Sequence, residues 1–167
     1  AGYKVADIYA PTAQKIFWNH LYQGLYTKGV DSWWLDATEP AYKDGLYPEK
    51  QTQWSKKAGK TFIGSAARYL NTYSYVLTKM MYENLRKQSD NRASVLTRSA
   101  FAGQQRFGTS IWSGDIYASW DVLKKQLVAG LNICMTGIPY WTTDIGGFRV
   151  RSRENSGEGT GEIGTEI

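Results

Sequence analysis

Apolar residues recur at helical spacing at Ile16, Phe17, Leu21 and Leu25, just after Pro11-Thr12. The spacing predicts a first helix, with Thr12 as its N-cap and Lys28-Gly29 as a basic last turn and a stop. Val30 to Asp36 then reads Val-Asp-Ser-Trp-Trp-Leu-Asp, a short strand-like segment. From Ala37 to Lys60 neither period holds, and Pro, Gly, Lys and Gln make a long loop of the kind that is usually functional or disordered. A second helix is predicted from about Ser65 to Lys87, with Leu70, Tyr73, Leu77, Met80 and Leu85 along one side. Two strands follow, Ser94 to Ser99 and Thr109 to Trp112. A third helix starts near Ser119, carries Trp120, Leu123, Leu127 and Leu131 on one face, and fades around Asn132. Ile138 to Thr142 reads as the last strand.

Strands and helices mostly alternate, and no Asn-Gly hairpin signal separates the strands. This order predicts a parallel α/β arrangement. Asp36, Arg98, Asp115 and Asp144 fall at the C-terminal ends of the predicted strands. In a (β/α)8 barrel or an open α/β sheet, that edge binds ligands. From Arg149 the composition changes to a Gly- and Glu-rich run with few large apolar residues. Residues 149–167 therefore read as a flexible tail, and 1–148 as the folded segment.

Composition narrows the chemistry. A length of 167 residues suits one domain, and 42% hydrophobic residues can form a core. Seven Trp and twelve Tyr are more telling, because aromatic faces both fill cores and cover the C–H faces of sugars. The net charge of +5 is not gathered into a tract. Lys56, Lys57 and Lys60, like Arg149, Arg151 and Arg153, read as solvated surface, so no nucleic-acid partner is expected. No apolar run approaches transmembrane length, and no membrane partner is expected either. Cys134 and His20 are each the single residue of their type. An internal disulfide and metal sites built on several Cys or His are thereby excluded, a Ser–His or Cys–His hydrolase arrangement is not expected, and no cofactor is called for. Carboxylates are expected to carry any proton chemistry.

Retaining glycosidases place two carboxyl groups on opposite sides of the scissile bond, one to attack and one to move protons. Asp36 and Asp115 could form such a pair, although spacing alone does not select them from fifteen acidic residues. Without further context each reads as well as a helix N-cap or a loop carboxylate. Their surroundings select them. Trp33-Trp34-Leu35-Asp36-Ala37-Thr38-Glu39-Pro40, then Arg98-Ser99-Ala100-Phe101-Ala102-Gly103-Gln104-Gln105-Arg106-Phe107, then Ile111-Trp112-Ser113-Gly114-Asp115, stand in order before Thr143-Asp144-Ile145-Gly146-Gly147-Phe148. This series, over roughly Ile8 to Phe148, resembles glycoside hydrolase family 31.

The resemblance implies a (β/α)8 TIM barrel, of which this chain supplies about four βα units, the fourth to seventh strands. It implies Asp36 as nucleophile and Asp115 as acid/base. Arg98, Trp112, Asp144 and Phe148 match positions lining the subsite of the non-reducing sugar, and Trp34 sits where the family has a pocket aromatic. Arg98 and Asp144 would hydrogen-bond sugar hydroxyls with charge assistance, and Trp112 and Phe148 would pack on the ring. Asp115 has to carry a proton at the first step, whereas Asp36 has to stay ionised. Structural roles compete with these: a salt bridge for Arg98, and support of the Gly146-Gly147 turn for Asp144 and Phe148. Glu39 is read as orienting its loop. Asp31 lies at the wrong end of its strand for chemistry, and Gly146-Gly147 is too short for a phosphate loop.

Trp-Trp-Leu-Asp-Ala-Thr-Glu-Pro is more like the α-xylosidases of the family than its α-glucosidases, and Ala37 changes the wall beside the nucleophile. An α-xylosidase acting on xyloglucan-type oligosaccharides is therefore expected, with an α-glucosidase or a noncatalytic carbohydrate-binding remnant as alternatives. A bacterial periplasmic or secreted location follows from that substrate class. About four βα units leave strand edges uncovered, so the remainder of the barrel is expected from a longer parent chain.

Overall fold

A computed structural model describes residues 5–39, 53 and 56–149. The loop expected over 37–60 thus lies largely outside the described residues, as does the tail beyond Arg149. The chain divides into two compact units, Ala1–Thr109 and Ser110–Ile167.

In the first unit, α1 (Pro11–Gly24) begins one residue before the Thr12 cap expected from sequence. Pro11 takes the first helical position, where its fixed φ fits and its missing N–H goes unnoticed, and Ala10 is the extended residue before it. The helix stops at Gly24, short of Lys28. A separate 3-10 turn, Tyr26–Lys28, completes the segment and closes on Gly29 at φ 91°. Phe17 and Leu21 pack on the core as predicted, whereas Ile16 and Leu25 are exposed.

The strand β1 (Ser32–Leu35) alternates, with Trp33 buried and Trp34 exposed. A two-residue-per-strand antiparallel hairpin follows, β2 (Lys60–Thr61) and β3 (Gly64–Ser65), which the sequence reading missed. Its turn is Phe62-Ile63 rather than Asn-Gly. It is held from outside, because the Phe62 N–H donates to Asp7 Oδ2 at 2.7 Å.

The helix expected over 65–87 is broken into α2 (Ala66–Tyr69) and α3 (Tyr73–Gln88), with a 3-10 turn at Leu70–Thr72. The cause is local. The Tyr69 carbonyl accepts hydrogen bonds from Tyr9 Oη at 2.5 Å and Thr72 Oγ1 at 2.8 Å. Side chains so satisfy an acceptor that a continuous helix would fill from its own backbone. Leu77, Met80, Met81 and Leu85 of α3 then pack with Ile8, Tyr9, Trp33, Leu70 and Val95 into one buried cluster.

The strand β4 (Ser94–Thr97) pairs with β1 in parallel, Trp33 opposite Val95 and Leu35 opposite Thr97. A 3-10 turn at Gln104–Phe107 leads to Gly108, where a Cβ would stand 2.3 Å from the Ala93 carbonyl oxygen at φ +65°, so only glycine fits.

The strand β5 (Thr109–Trp112) begins at the boundary of the two units. In the second unit, α4 (Trp120–Met135) starts where expected, and Ser119 caps it, its Oγ accepting from the Val122 N–H. The helix runs past Asn132. Trp120, Leu127 and Leu131 are exposed, and Gly130 is the buried position, against the ring of Trp141. The strand β6 is shorter than predicted (Trp141–Thr142) and pairs with β5 in parallel, Trp112 opposite Thr142. The α/β class with parallel strand pairs matches the sequence expectation. Among the described residues no helix is long and apolar enough to cross a membrane.

Candidate active site

The parallel registers bring the chemistry to strand ends. In the first unit Asp36 follows β1 and Arg98 follows β4, one residue beyond the paired Leu35 and Thr97. The two side chains meet, with Arg98 Nη1 3.1 Å from Asp36 Oδ1. The Ala37 N–H also donates to Asp36 Oδ1, at 2.7 Å. Ala37 has φ 53°, the only non-glycine in the left-handed region among the described residues. Such a conformation costs about 1 kcal/mol or more, and the chain around it is pinned accordingly.

The pins are polar. Thr38 is fully buried, its Oγ1 accepting from the Ser99 N–H at 3.2 Å and lying 3.0 Å from Ser99 Oγ. Arg98 Nε donates to Glu39 Oε1 at 2.7 Å, and its Nη2 lies 2.5 Å from the same oxygen. Gln104, also fully buried, fastens the segment after β4. Its Oε1 accepts from Ser74 Oγ at 2.9 Å and the Phe101 N–H at 3.1 Å, and its Nε2 donates to Thr97 Oγ1 and the Ser99 carbonyl. Trp34 projects an exposed indole on the opposite side of β1 from Trp33.

In the second unit Asp115 stands three residues beyond β5, and Asp144 two beyond β6. The loops are tied by Ser113 Oγ and Thr143 Oγ1 at 3.0 Å. The carbonyl of Asp144 accepts from the Gly147 N–H, which closes the turn anticipated at Gly146-Gly147. Gly147 lies against Ala118, where a Cβ would come within 2.5 Å of backbone atoms. Phe148 and Arg149 both donate their N–H to the Ile116 carbonyl, and Arg149 forms a parallel bridge with Tyr117. This brings Arg149 Nη2 to 3.5 Å from Asp115 Oδ2, with the guanidinium 5.9 Å from the centre of the Tyr117 ring. Trp112 is buried at the end of β5, whereas the Phe148 ring is exposed.

Sequence reasoning selected Asp36 and Arg98 but gave Glu39 only a loop role, and it assigned nothing to Thr38, Ser99 or Gln104. The one available signal was that these residues sit inside the quoted motifs beside the two charges. Arg149 was assigned to the tail, and no local sequence signal marks it. Among the described residues no cluster of His, Cys, Asp and Glu suits a metal ion.

Residues 2–160 match the model of the glycosyl hydrolases family 31 TIM-barrel domain. The chain belongs to glycosyl hydrolase family 31. It is 44% identical over 138 residues to an α-xylosidase of Saccharolobus solfataricus, covering 81% of this chain and 18% of that protein. An α-glucosidase of the same organism is 30% identical over 154 residues, with 81% and 22% covered. Among solved structures, a family 31 α-xylosidase from Xanthomonas citri superposes with a TM-score of 0.80 at 37% identity, covering 88% of this chain and 16% of that one. The chain thus spans about a fifth of the length of the curated relatives it matches.

Proposed function

We propose that the chain carries the nucleophile and acid/base of a retaining α-glycosidase that releases terminal α-xylose from xyloglucan-type oligosaccharides. The observation that carries this reading is Asp36 at the end of β1. Two donors converge on its Oδ1, and Oδ2 takes no hydrogen bond among the described residues. That is the arrangement an attacking carboxylate needs: one oxygen held, the other open.

In the first step Asp36 Oδ2 bonds to the anomeric carbon as the glycosidic C–O bond breaks, and Asp115 gives its proton to the departing oxygen. In the second, water loses a proton to Asp115 and attacks the anomeric carbon, and the ester C–O bond breaks to return the Asp36 carboxylate. Two inversions leave the α configuration. Asp144 offers a carboxylate to sugar hydroxyls, Arg98 adds a cation beside the reacting group, and the exposed Trp34 and Phe148 supply aromatic surface to the ring. The higher identity to an α-xylosidase than to an α-glucosidase over the same share of the chain supports the pentose. The α-glucosidase match keeps glucose as the second reading.

The test compares a chromogenic α-xyloside with the matching α-glucoside, on this chain and on a polypeptide extended at both ends to the length of the relatives. Cleavage should favour the xyloside and fall on the order of 10⁴-fold in Asp36→Ala. A 5-fluoro-glycosyl fluoride should label Asp36, and label on Asp115 would reverse the two roles. Extended protein that cleaves neither substrate would leave the carbohydrate-binding reading in its place.

A further inference from the structure

We propose that Glu39 is a positioning residue that acts through Arg98 to keep Asp36 Oδ2 open for attack. This rests on Asp36 being the nucleophile. An arginine beside a carboxylate tends to close on it with two parallel N–H donors. Here Nη1 meets Asp36 at Oδ1, 3.1 Å away. Nε and Nη2 are both committed to Glu39 Oε1, at 2.7 and 2.5 Å. Glu39 therefore turns the fork of Arg98 away from the nucleophile.

Burial supports the division of labour. The Arg98 side chain is 19% exposed, Glu39 30% and Asp36 48%, so the most open of the three is the one that would receive substrate. Glu39 Oε2 is buried and has no hydrogen-bond partner, which leaves Arg98 as the contact that compensates its charge among the described residues. The backbone also converges on this arrangement. The left-handed turn at Ala37 and the Thr38–Ser99 hydrogen bonds bring Glu39 back toward Arg98 within three residues of Asp36.

The charge count over a reaction cycle gives the pairing a purpose. At rest one cation serves two carboxylates. When Asp36 becomes a glycosyl ester it loses its charge, and Glu39 remains as a carboxylate on the largely buried Arg98. Leaving a buried charge unpaired is strongly unfavourable. With Glu39 in place the cation stays matched throughout. Without Glu39, Arg98 can move both donors onto Asp36, tying up Oδ2 before attack.

The test uses Glu39→Gln, Glu39→Asp and wild type in the extended polypeptide, with 5-fluoro-xylosyl fluoride as the probe. The rate of Asp36 labelling at saturating probe should fall about 10- to 100-fold in Glu39→Gln, the range expected when a reacting group is misplaced. The probe concentration for half-maximal rate should stay within about threefold, and Glu39→Asp should recover part of the rate. A second measurement does not depend on turnover. The Arg98 Nε–H resonance, assigned by its loss in Arg98→Lys, should exchange slowly in wild type and in Asp36→Asn but not in Glu39→Gln. Equal labelling rates in Glu39→Gln and wild type, or a protected Nε–H in Glu39→Gln, would overturn the proposal. An unlabelled wild type with a protected Nε–H would instead sink the assignment of Asp36 as nucleophile and leave the Glu39–Arg98 pairing standing.

Discussion

The two carboxylates meet their arginines in different settings. Asp36 faces Arg98, which is mostly buried, shared with Glu39 and fastened through Ser99 and Thr38 to the neighbouring loop. Asp115 faces Arg149, which is more exposed, lies 3.5 Å away and rests beside the Tyr117 ring. The surrounding units differ in the same sense. The first packs Trp33, Leu77, Met81 and Val95 into a continuous core. In the second, the apolar residues Leu127, Leu131 and Met135 of α4 are exposed. The contrast suits the proposed roles. A nucleophile attacks from one fixed geometry as a carboxylate, so a rigid polar clamp serves it. An acid/base alternates between holding and giving up a proton, and a closed ion pair would oppose the protonated form in each cycle.

The clamp can be broken at Gln104, the buried amide that joins α3, the end of β4 and the loop after it. Gln104→Leu keeps a similar volume but leaves the Ser74 hydroxyl and the Phe101 N–H without their acceptor. The Ser99 carbonyl keeps a donor in Thr97 Oγ1. One buried and one part-buried donor left unsatisfied should cost about 2–4 kcal/mol, read from urea unfolding of the first unit. A loss below about 1 kcal/mol would mean that the network adds little, and the contrast between the units would then rest on apolar packing alone.

Much of this contrast was hidden in the sequence, for physical reasons. The strand ends were legible because β-strand alternation and the charges that terminate it are local. So Asp36, Arg98, Asp115 and Asp144 could all be placed at strand ends. The start of α4 near Ser119 was legible for the same reason. The break at Leu70–Thr72 was not, since it depends on the Tyr9 hydroxyl, about sixty residues away in sequence. The hairpin at Lys60–Ser65 depends likewise on Asp7. The helical stripe Trp120, Leu123, Leu127, Leu131 announced an apolar face correctly, but periodicity does not say what covers it. Within the site, the Glu39–Arg98 pair joins two motifs that a linear reading treats one at a time.

Arg149 sharpens the comparison from the other side. Arg149→Gln removes the 3.5 Å contact to Asp115 and the approach to Tyr117 but keeps the backbone bridge. A partly exposed pair of this kind is worth about 0–1 kcal/mol, so stability should change by no more than that. Turnover of the aryl α-xyloside by the extended polypeptide should change less than about fivefold, the rate equivalent of the same energy. A loss matching that of Glu39→Gln would show that Arg149 handles substrate or holds the acid as firmly as Arg98 holds the nucleophile.

The smallest effect probes the core that gives the first unit its rigidity. Burial, assisted by the nearby Tyr9 and Asp7, pushes the Tyr73 phenol up to about 12. The folded pKa lies above the ordinary value near 10, so the folded state holds this proton more tightly than the unfolded chain. Its contribution to stability is therefore complete below pH 10 and is lost as pH rises from there toward 12. Tyr9 shifts in the same direction, chiefly through burial, and adds to the decline. Unfolding free energy of the first unit should fall over this window, while tyrosinate absorbance of the folded protein lags behind that of the denatured chain. Tyr73→Phe should flatten the decline without removing it, because Tyr9 remains. A decline unchanged by Tyr73→Phe would mean that Tyr73 ionises as readily folded as unfolded. The packing around α3 would then be looser than its buried face implies, and the first unit would lose its advantage in rigidity over the second.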